Sequence, residues 1–555
     1  MIHDRVGRLP ISITNLSARL ALLCLLWLIA IGTGVFGTPD TDLRLRMSHA
    51  WWTHSEEVSR TLPKPTSRED IESGVIGVGA KRYIFYDPGQ SLLMLPADWF
   101  ASKLTRWIPP ANDKAFRTAF VSWLIFVPLN LALVLAGFWL LRLFGFEERL
   151  AALTIIVWLL GTTVLPYAQV AFQNNQVLLF VIAAHAFVLA WVRNHRQGWV
   201  ALSGAAAAAA LLMRATSAIH VFTIGLFLLA CIALAKQRPR QAVEVLGCWL
   251  AGFLPLALAG RIFDYARYGS WLTTGQSVWL KQVNTDPIFS GLPSLPEHFP
   301  LVNDAHVGIL GVLFSPAKSI FLYDPLLLPC MIVGGLAWKT LSPHLRCYVV
   351  LAILNLVMHI ALTSRFDFWH GDWAWAARYH ITSVDMLLVA LLPSVIRYAL
   401  QAPSSVAWLL RAAILLGIGV QMLAISMPAG TEIAAEVLRQ PRYCEEMWNT
   451  PLEFRLGSRV RDLYCLATHA QSAQCPSVIA AQAQNDTPSA CIDTVSTLKQ
   501  KNRLAFFLFD SPQPSAAALA LWGVTLMLAI GWTGIWFYSA CRSPAHKRRS
   551  ELQTV

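Results

Sequence analysis

Residues 20–52 read LALLCLLWLIAIGTGVFGTPDTDLRLRMSHAWW, an apolar run of 17 residues from Leu20 to Phe36 followed at once by Asp40, Asp42, Arg44 and Arg46. Hydrocarbon offers backbone N–H and C=O groups no partner, so a chain crosses it as a helix of roughly 20 mostly apolar residues. Leu20–Phe36 with its flanking turns meets that requirement, and the charge that begins at Asp40 ends it. Arg5, Arg8 and Arg19 precede the run, as in a signal peptide, but 17 residues is long for the apolar part of one. The segment reads as a retained spanning helix.

The same pattern recurs along the chain. Twelve segments qualify as spans, near residues 18–36, 118–140, 150–167, 177–192, 199–217, 218–235, 242–260, 319–338, 347–364, 381–396, 412–428 and 516–540. The composition agrees: 55% of the 555 residues are hydrophobic, 14% are charged, and the mean hydropathy is +0.50. These values exclude a disordered chain and a secreted disulfide scaffold, and an outer-membrane barrel would show ten-residue alternating segments instead. The fold class is an all-α polytopic membrane protein with about 12 transmembrane helices and amphipathic helices in its extracytoplasmic loops.

Placing the N-terminus in the cytoplasm puts seven short basic pieces on that side, among them RNHRQ, KQRPR and the tail CRSPAHKRRSELQTV. Lys and Arg far exceed Asp and Glu there, whereas the opposite side carries them in equal numbers, which is the positive-inside pattern. The net charge of +12 is therefore a topology signal; spread over short connections, it argues against a nucleic-acid partner. The expected location is a bacterial inner membrane, with both termini cytoplasmic and the active face outside.

Three outer connections are long: 37–117, 261–318 and 429–515. A short one, 365–380, is rich in aromatic and charged residues. The chain divides into a transmembrane module (1–428), a cysteine-containing outer loop (429–515), and a last helix with a basic tail (516–555). Cys444, Cys465, Cys475 and Cys491 fall in the third outer loop, where an exported segment suggests two disulfides. A zinc site is the rival, but no CxxC pair is present. Between Gly204 and Met213 the run GAAAAAALLM provides small residues for close helix packing.

Three constellations can carry chemistry. In GTPDTDLRLRMSHAWW, Asp40 and Asp42 stand just outside the membrane, where either can cap the following helix and the other remain free as a general base. Leu43, Met47 and Ala50 share one face of that helix, as in a helix lying on the membrane surface. In GAKRYIFYDPGQSLLMLPADWF, Lys81 and Arg82 precede a turn at Tyr86, Asp87, Pro88, Gly89 and Gln90. The two cations suit anionic head groups or one particular lipid phosphate. In SRFDFWHGDWAWAARYHITSVD, the rings of Trp369, Trp373, Trp375 and Tyr379 surround His370, Asp372 and Arg378. An interfacial aromatic belt explains some rings but not the interleaved charges; ring faces suit a sugar, and Arg378 suits a phosphate.

Other ionisable residues stand within spans. Arg214, Asp324 and Asp385 must face protein or water. His370, Asp372, His380, Asp304 and His306 lack a diagnostic metal spacing, so a divalent metal is allowed but no cofactor is required. Walker A, HExxH and GxSxG motifs are absent from the sequence.

A multi-helix chain with an acidic residue opening its first outer loop resembles the GT-C-fold glycosyltransferases, in particular the bacterial branch related to protein O-mannosyltransferases and aminoarabinose transferases. YDPGQSLLMLP (Tyr86–Pro96) resembles the Tyr-x-Pro-Gly-x-Ser-Leu-Leu segment of that branch. GVLFSPAKSIFLYDPLLL resembles its Gly-Leu-Leu-Phe-Ser-Pro segment, and WHGDWAWAARY (Trp369–Tyr379) its Trp-x-Gly-Gly-x-x-x-Gly-x-Arg-Tyr segment. The three occur in family order between Asp40 and about Pro393. Asp372 stands where the last motif has its second glycine, Ala376 or Ala377 where it has a later one, and Asp324 where a small or polar residue is common.

The resemblance implies transfer of a sugar from a polyprenyl-phosphate donor to a glycan, lipid or protein acceptor on the outer face, with inversion. It implies Asp40 as general base with Asp42 as the close alternative, and Arg378 on the lipid phosphate, with Lys81, Arg82 and Arg214 as further candidates. Tyr86, Asp87, Gln90, Trp369, His370, Asp372, Trp373 and Tyr379 are the candidates for the sugar or acceptor. The rival readings are a secondary transporter or lipid flippase and a degenerate assembly scaffold. Unequal outer loops, no visible repeat and no paired broken helices count against transport.

Overall fold

The computed structural model describes residues 15–58, 74–107, 109–110, 112–286, 294–371, 374–401, 405–426, 454–468 and 516–542. Among the described residues the only strands are β1 (Val75–Ile76) and β2 (Arg82–Tyr83), antiparallel with Val75 opposite Tyr83. Everything else that is regular is helical.

The chain enters through α1 (Asn15–Ile31), turns, and forms α2 (Pro39–Thr53), the β1–β2 hairpin and α3 (Gly89–Leu104). It then runs through α4 (Asp113–Val121) and a π-helical turn into α5 (Val127–Leu143), followed by α6 (Glu148–Gly161), α7 (Val164–Gln169), α8 (Asn174–Asn194), α9 (Gln197–Met213) and α10 (Ala218–Leu234). Next come α11 (Pro239–Tyr268), α12 (Gly275–Gln282), α13 (Ala305–Phe314), α14 (Ile320–Tyr323), α15 (Leu327–Leu336), α16 (Pro343–Thr363), α17 (Ile381–Gln401) and α18 (Ser405–Ile425). Two further helices, Arg455–Thr468 and Ala516–Arg542, follow.

Among the described residues seven helices are long and apolar enough to cross a membrane, and five shorter apolar ones accompany them, making this a multi-pass membrane protein. At the centre stands α17, buried at every residue from Ile381 to Ile396 and packed on α6, α8, α15, α16 and α18. At the periphery, α11 exposes Val243, Leu250, Leu254, Leu258 and Ile262, as a lipid-facing helix does. Small residues bring α9 against α11 as the alanine run suggests: a Cβ on Gly204, which opens the run, would lie 2.1 Å from the Trp249 carbonyl oxygen. Arg19 of α1 donates to the Trp536 carbonyl (2.6 Å), which ties the first helix to the last one described.

Several expectations change. The segment at 150–167 is not one helix but α6 and α7, broken at Thr162 and Thr163, and 319–338 is likewise α14 and α15, broken at Asp324. The two breaks meet. Asp324 accepts the Thr163 N–H (2.8 Å) and hydroxyl (2.9 Å), so a side chain from the second break replaces the backbone acceptor that the first removes, and the same hydroxyl lies 3.3 Å from Asp385. Paired interrupted helices are therefore present, contrary to the reading that counted their absence against transport.

The helix α11 continues past 260 to Tyr268. Its 30 residues are about 45 Å long, more than a bilayer's hydrocarbon core needs, so its end stands among the loops. There Arg267, buried, pairs with buried Glu57, donates to the Ile84 carbonyl (3.0 Å), and fastens the first long loop. Residues 261–318 also contain the apolar α13, which no sequence signal singled out. Finally, α2 is not a surface helix: Met47, Val58 and Ile84 form a small core, and Thr41, Arg44, Leu45, Met47, Ser48 and Ala50 are all buried.

Candidate active site

Neither aspartate caps α2. Its N-cap is Thr38, Pro39 starts the helix with its φ already suited to it, and Asp40 and Asp42 both sit in the first turn, where the helix dipole favours negative charge. Successive residues of a helix point 100° apart, so the two part company. Asp42 turns toward Lys114 of α4; burial raises its pKa and Lys114 opposes the rise. Asp40 turns inward, with its side chain 28% exposed.

Around Asp40 the structure gathers residues from four segments. The Tyr86 hydroxyl donates to its Oδ1 at 2.7 Å, and Arg378 donates to its Oδ2 at 3.4 Å. One turn along α2, Arg44 lays its guanidinium 3.9 Å over the Tyr86 ring. Arg214, at the end of α9, lies 4.7 Å over the ring of Tyr379, whose hydroxyl accepts from Arg378 at 3.2 Å. Burial by itself would raise the Asp40 carboxyl. Arg378, Arg44, the Tyr86 hydrogen bond and Arg214 together outweigh it and hold the group below the ordinary aspartate value. Tyr86 is shifted the other way by burial and by the facing carboxylate, so it stays a protonated donor.

Positive charge dominates this cluster. Arg44 is 5% exposed, and its Nε is buried without a partner among the described residues. Arg214 has no carboxylate within ion-pair reach among them. A buried guanidinium with an unfilled donor costs on the order of 1–3 kcal/mol unless an acceptor arrives, so the arrangement suits an anion from outside the chain. An apolar groove begins at the residue after Arg214, lined by Ala215, Thr216, Ala218 and Ile219 beside Met358, Ala361 and Leu362.

The turn Tyr86–Gln90 builds this geometry through internal bonds. Asp87 accepts the Ala215 N–H at 3.0 Å, and burial pushes its carboxyl up to about 6 against that hydrogen bond. Gly89 sits against the backbone of Leu212 and Met213, where a Cβ would meet it at 2.6 Å, and that approach puts Asp87 beside Arg214. Gln90 is fully buried and donates to the Ala171 carbonyl (2.9 Å), which also accepts from Thr41 (2.7 Å). Of these candidates Tyr86 faces the cluster, while Asp87 and Gln90 tie loop to helix.

The segment after α16 is held as firmly. Tyr167 donates to the Trp375 carbonyl (2.7 Å), Asn174 to that of Arg378 (2.7 Å), and buried Lys318 to that of Ala374 (2.6 Å). These bonds hold a backbone with Ala376 at φ 57°, where a side chain is disfavoured. Trp369, 4% exposed, joins the main core rather than an open face. His370 is also buried; burial, Lys318 and Arg378 push its pKa down to about 3, so it is neutral. Asp372 and Trp373 lie outside the described residues.

The rings of Tyr86, Phe85, Trp279, Phe299, Phe368 and Tyr379 follow one another at centroid distances of 4.6 to 6.1 Å, an arc that begins and ends at the cluster. Each of the six is half-buried.

Two phosphate candidates stand elsewhere. Arg82 donates to both oxygens of Asp286 at 2.7 Å, and Lys81 is exposed. Of the four cysteines only Cys465 is described, and it is disulfide-bonded; Cys444, Cys475 and Cys491 lie outside the described residues. No three His, Cys, Asp or Glu side chains converge among the described residues.

Sequence reasoning missed Arg44, although its spacing from Asp40, i to i+4 on one helix, was a usable signal. Asn174 and Lys318 gave none, because each acts on a backbone carbonyl far away in sequence.

No family model matches the chain, and no curated protein matches it in sequence. Among solved structures it is similar to the Archaeoglobus fulgidus oligosaccharyltransferase in the apo form, at 12% identity and a TM-score of 0.40 over 80% of this chain and 61% of that one. It is also similar to archaeal oligosaccharyltransferase AglB from the same organism in complex with an inhibitory peptide and a dolichol-phosphate (13%, 0.39, 79% and 60%). A third is ArnT from Cupriavidus metallidurans bound to undecaprenyl phosphate (14%, 0.41, 93% and 76%). The chain spans about three-fifths of the length of the two archaeal structures.

Proposed function

We propose that the protein is a membrane glycosyltransferase that moves a sugar from a polyprenyl-phosphate carrier to an envelope acceptor on the extracytoplasmic face. The observation that carries this reading is the meeting of Asp40 with Arg44, Arg214 and Arg378, with an apolar groove that begins at the residue after Arg214. A phosphate with an isoprenoid tail has the complementary form: its head supplies the acceptor atoms that the buried guanidinium lacks, and its tail replaces lipid along α10 and α16.

In the reaction the acceptor hydroxyl oxygen attacks the anomeric carbon, and the bond from that carbon to the phosphate oxygen breaks. The electron pair leaves with the phosphate, where Arg378, Arg214 and Arg44 stabilise the charge that develops. Asp40 takes the acceptor proton, and displacement from the opposite face inverts the centre. The depressed pKa keeps Asp40 ionised while the site is empty, and phosphate binding offsets the arginine charge so that it becomes a stronger base. The aromatic arc offers ring faces for a glycan, lipid or protein acceptor.

One observation favours a second reading, a transporter or flippase: the interrupted helices that meet at Asp324, Thr163 and Asp385. Mass spectrometry of envelope glycans and lipids from cells carrying the wild type, a deletion or Asp40→Asn separates the two. A sugar missing from both mutants supports transfer. Unchanged glycans with a lipid or solute accumulating on one side of the membrane support transport.

A further inference from the structure

The helix Arg455–Thr468 belongs to the loop for which sequence supplied no function, and it packs with a polar face inward. Arg455, Arg459 and Asp462 are at most 7% exposed, while Val460 and Tyr464 on the same helix are 57% and 62% exposed. The inward arginines end on backbone carbonyls. Arg455 donates to that of Ala374 at 2.6 Å, the oxygen that also accepts from Lys318. Arg459 donates to the carbonyls of Leu423 and Ala424, in the last turn of α18, where a helix leaves its acceptors unfilled. Both guanidinium groups also lie over the Trp375 ring, at 5.5 and 5.0 Å, and Leu456 completes a small core with Tyr167, Tyr323, Trp375 and Ala376.

We propose that this helix is the positioning clamp of the segment bearing Arg378 and Tyr379, with Arg455 gripping the segment and Arg459 fixing the helix to α18. The segment needs such a clamp because Ala376 holds a left-handed backbone that its side chain disfavours, and such a conformation persists only where its surroundings over-determine it. Tyr167, Asn174 and Lys318 provide three anchors from the transmembrane scaffold. Arg455 is the anchor contributed by the third long loop, which makes that loop part of the site's architecture. Arg378 stands four residues beyond the gripped carbonyl, so loosening Ala374 lets its guanidinium leave Asp40.

The test compares Arg455→Ala, Arg455→Lys and Arg378→Ala in the full-length protein in detergent. It reads amide hydrogen exchange over residues 374–380 without ligand, and binding of undecaprenyl phosphate. Arg455→Ala should speed exchange in that segment about tenfold and weaken the probe about tenfold, as loss of one hydrogen bond from a charged group does. Arg455→Lys, which keeps a charged donor, should return both to within about threefold of wild type. Arg378→Ala should weaken the probe and leave exchange unchanged at Ala374 and Trp375. If Arg455→Ala does not fold, Arg455→Gln takes its place with the same expectation. Wild-type exchange in the alanine or glutamine variant overturns the clamp, as does loosening spread evenly over the protein that lysine fails to reverse. The binding arm rests on the phosphate reading above: a wild type that does not bind undecaprenyl phosphate overturns that reading, while the exchange arm still decides the clamp.

Discussion

The two ends of α2 carry charge clusters that are completed in opposite ways. At its C-terminal end His49 and Trp52 meet Asp98 of α3 and Arg117 of α4. Asp98 is fully buried, yet both its oxygens are filled, one by Arg117 at 2.8 Å and the other by the Trp52 N–H at 2.8 Å, with His49 Nδ1 also 2.8 Å from the latter. These partners outweigh burial and hold the carboxyl below its ordinary pKa. At the N-terminal end Asp40 is also lowered, but by arginines of which one is buried with a donor unfilled. Both carboxylates are depressed, so a shifted pKa does not separate site from scaffold. What separates them is whether the hydrogen bonds are satisfied within the chain, as at Asp98, or await something from outside, as at Arg44.

The sharpest way to break this comparison is to neutralise each carboxylate. Asp40→Asn should lower transfer by at least about 100-fold, the scale of a lost general base, with a small drop in melting temperature because a carboxylate held below its ordinary pKa adds stability at neutral pH; product mass spectrometry on purified membranes reads it. Next in size, Arg378→Ala or Arg44→Ala should weaken undecaprenyl phosphate binding about 10- to 100-fold, whereas Arg117→Ala should leave binding at the wild-type value. Asp98→Ala should instead lower stability by about 1–3 kcal/mol, because it takes the buried acceptor from the Trp52 N–H and from half-buried Arg117, which still pairs with Asp113, and thermal unfolding in detergent is the measurement.

Proton linkage refines the contrast. Asp40 must be ionised to act as a base, and its pKa lies below 3.8, so the acid limb of kcat/KM should fall below that pH and move upward in Arg378→Ala. Asp87 has the opposite sign. Its folded pKa near 6 lies above the ordinary 3.8, so its ionisation opposes folding above pH 6, and that penalty disappears as pH falls below 3.8. Asp87→Asn should therefore melt above wild type at pH 8 and converge with it toward pH 4. The smallest expected effect is at Ala376: Ala376→Gly should stabilise by about 1 kcal/mol by relieving the left-handed backbone.

Much of this was legible beforehand. Asp40, Tyr86, Arg214, Arg378 and Tyr379 were all singled out, and they meet in one cluster. Arg82 was singled out too, and its two hydrogen bonds to Asp286 lie in the second long loop, a pairing no local pattern displays. Asp87 and Gln90 are candidates for the sugar or acceptor through the segment Tyr86–Pro96 that carries the resemblance. Only the close approach of Gly89 to α9 and of Gln90 to the Ala171 carbonyl shows them engaged.

Sequence by itself determined the membrane class, because the cost of unpaired backbone in hydrocarbon leaves a long apolar run no alternative to a helix. It also placed the polar residues in a few loops and marked the acidic residue that follows the first span. The tertiary structure alone decided where two spans break and that the breaks meet, because the Thr163 N–H freed at one finds its acceptor in Asp324 at the other, 161 residues away. It decided likewise which arginines surround Asp40 and which helix clamps the segment that bears Arg378. A local pattern records the periodicity of a helix, while an ion pair or a carbonyl gripped across loops depends on a closure that only the packed bundle makes.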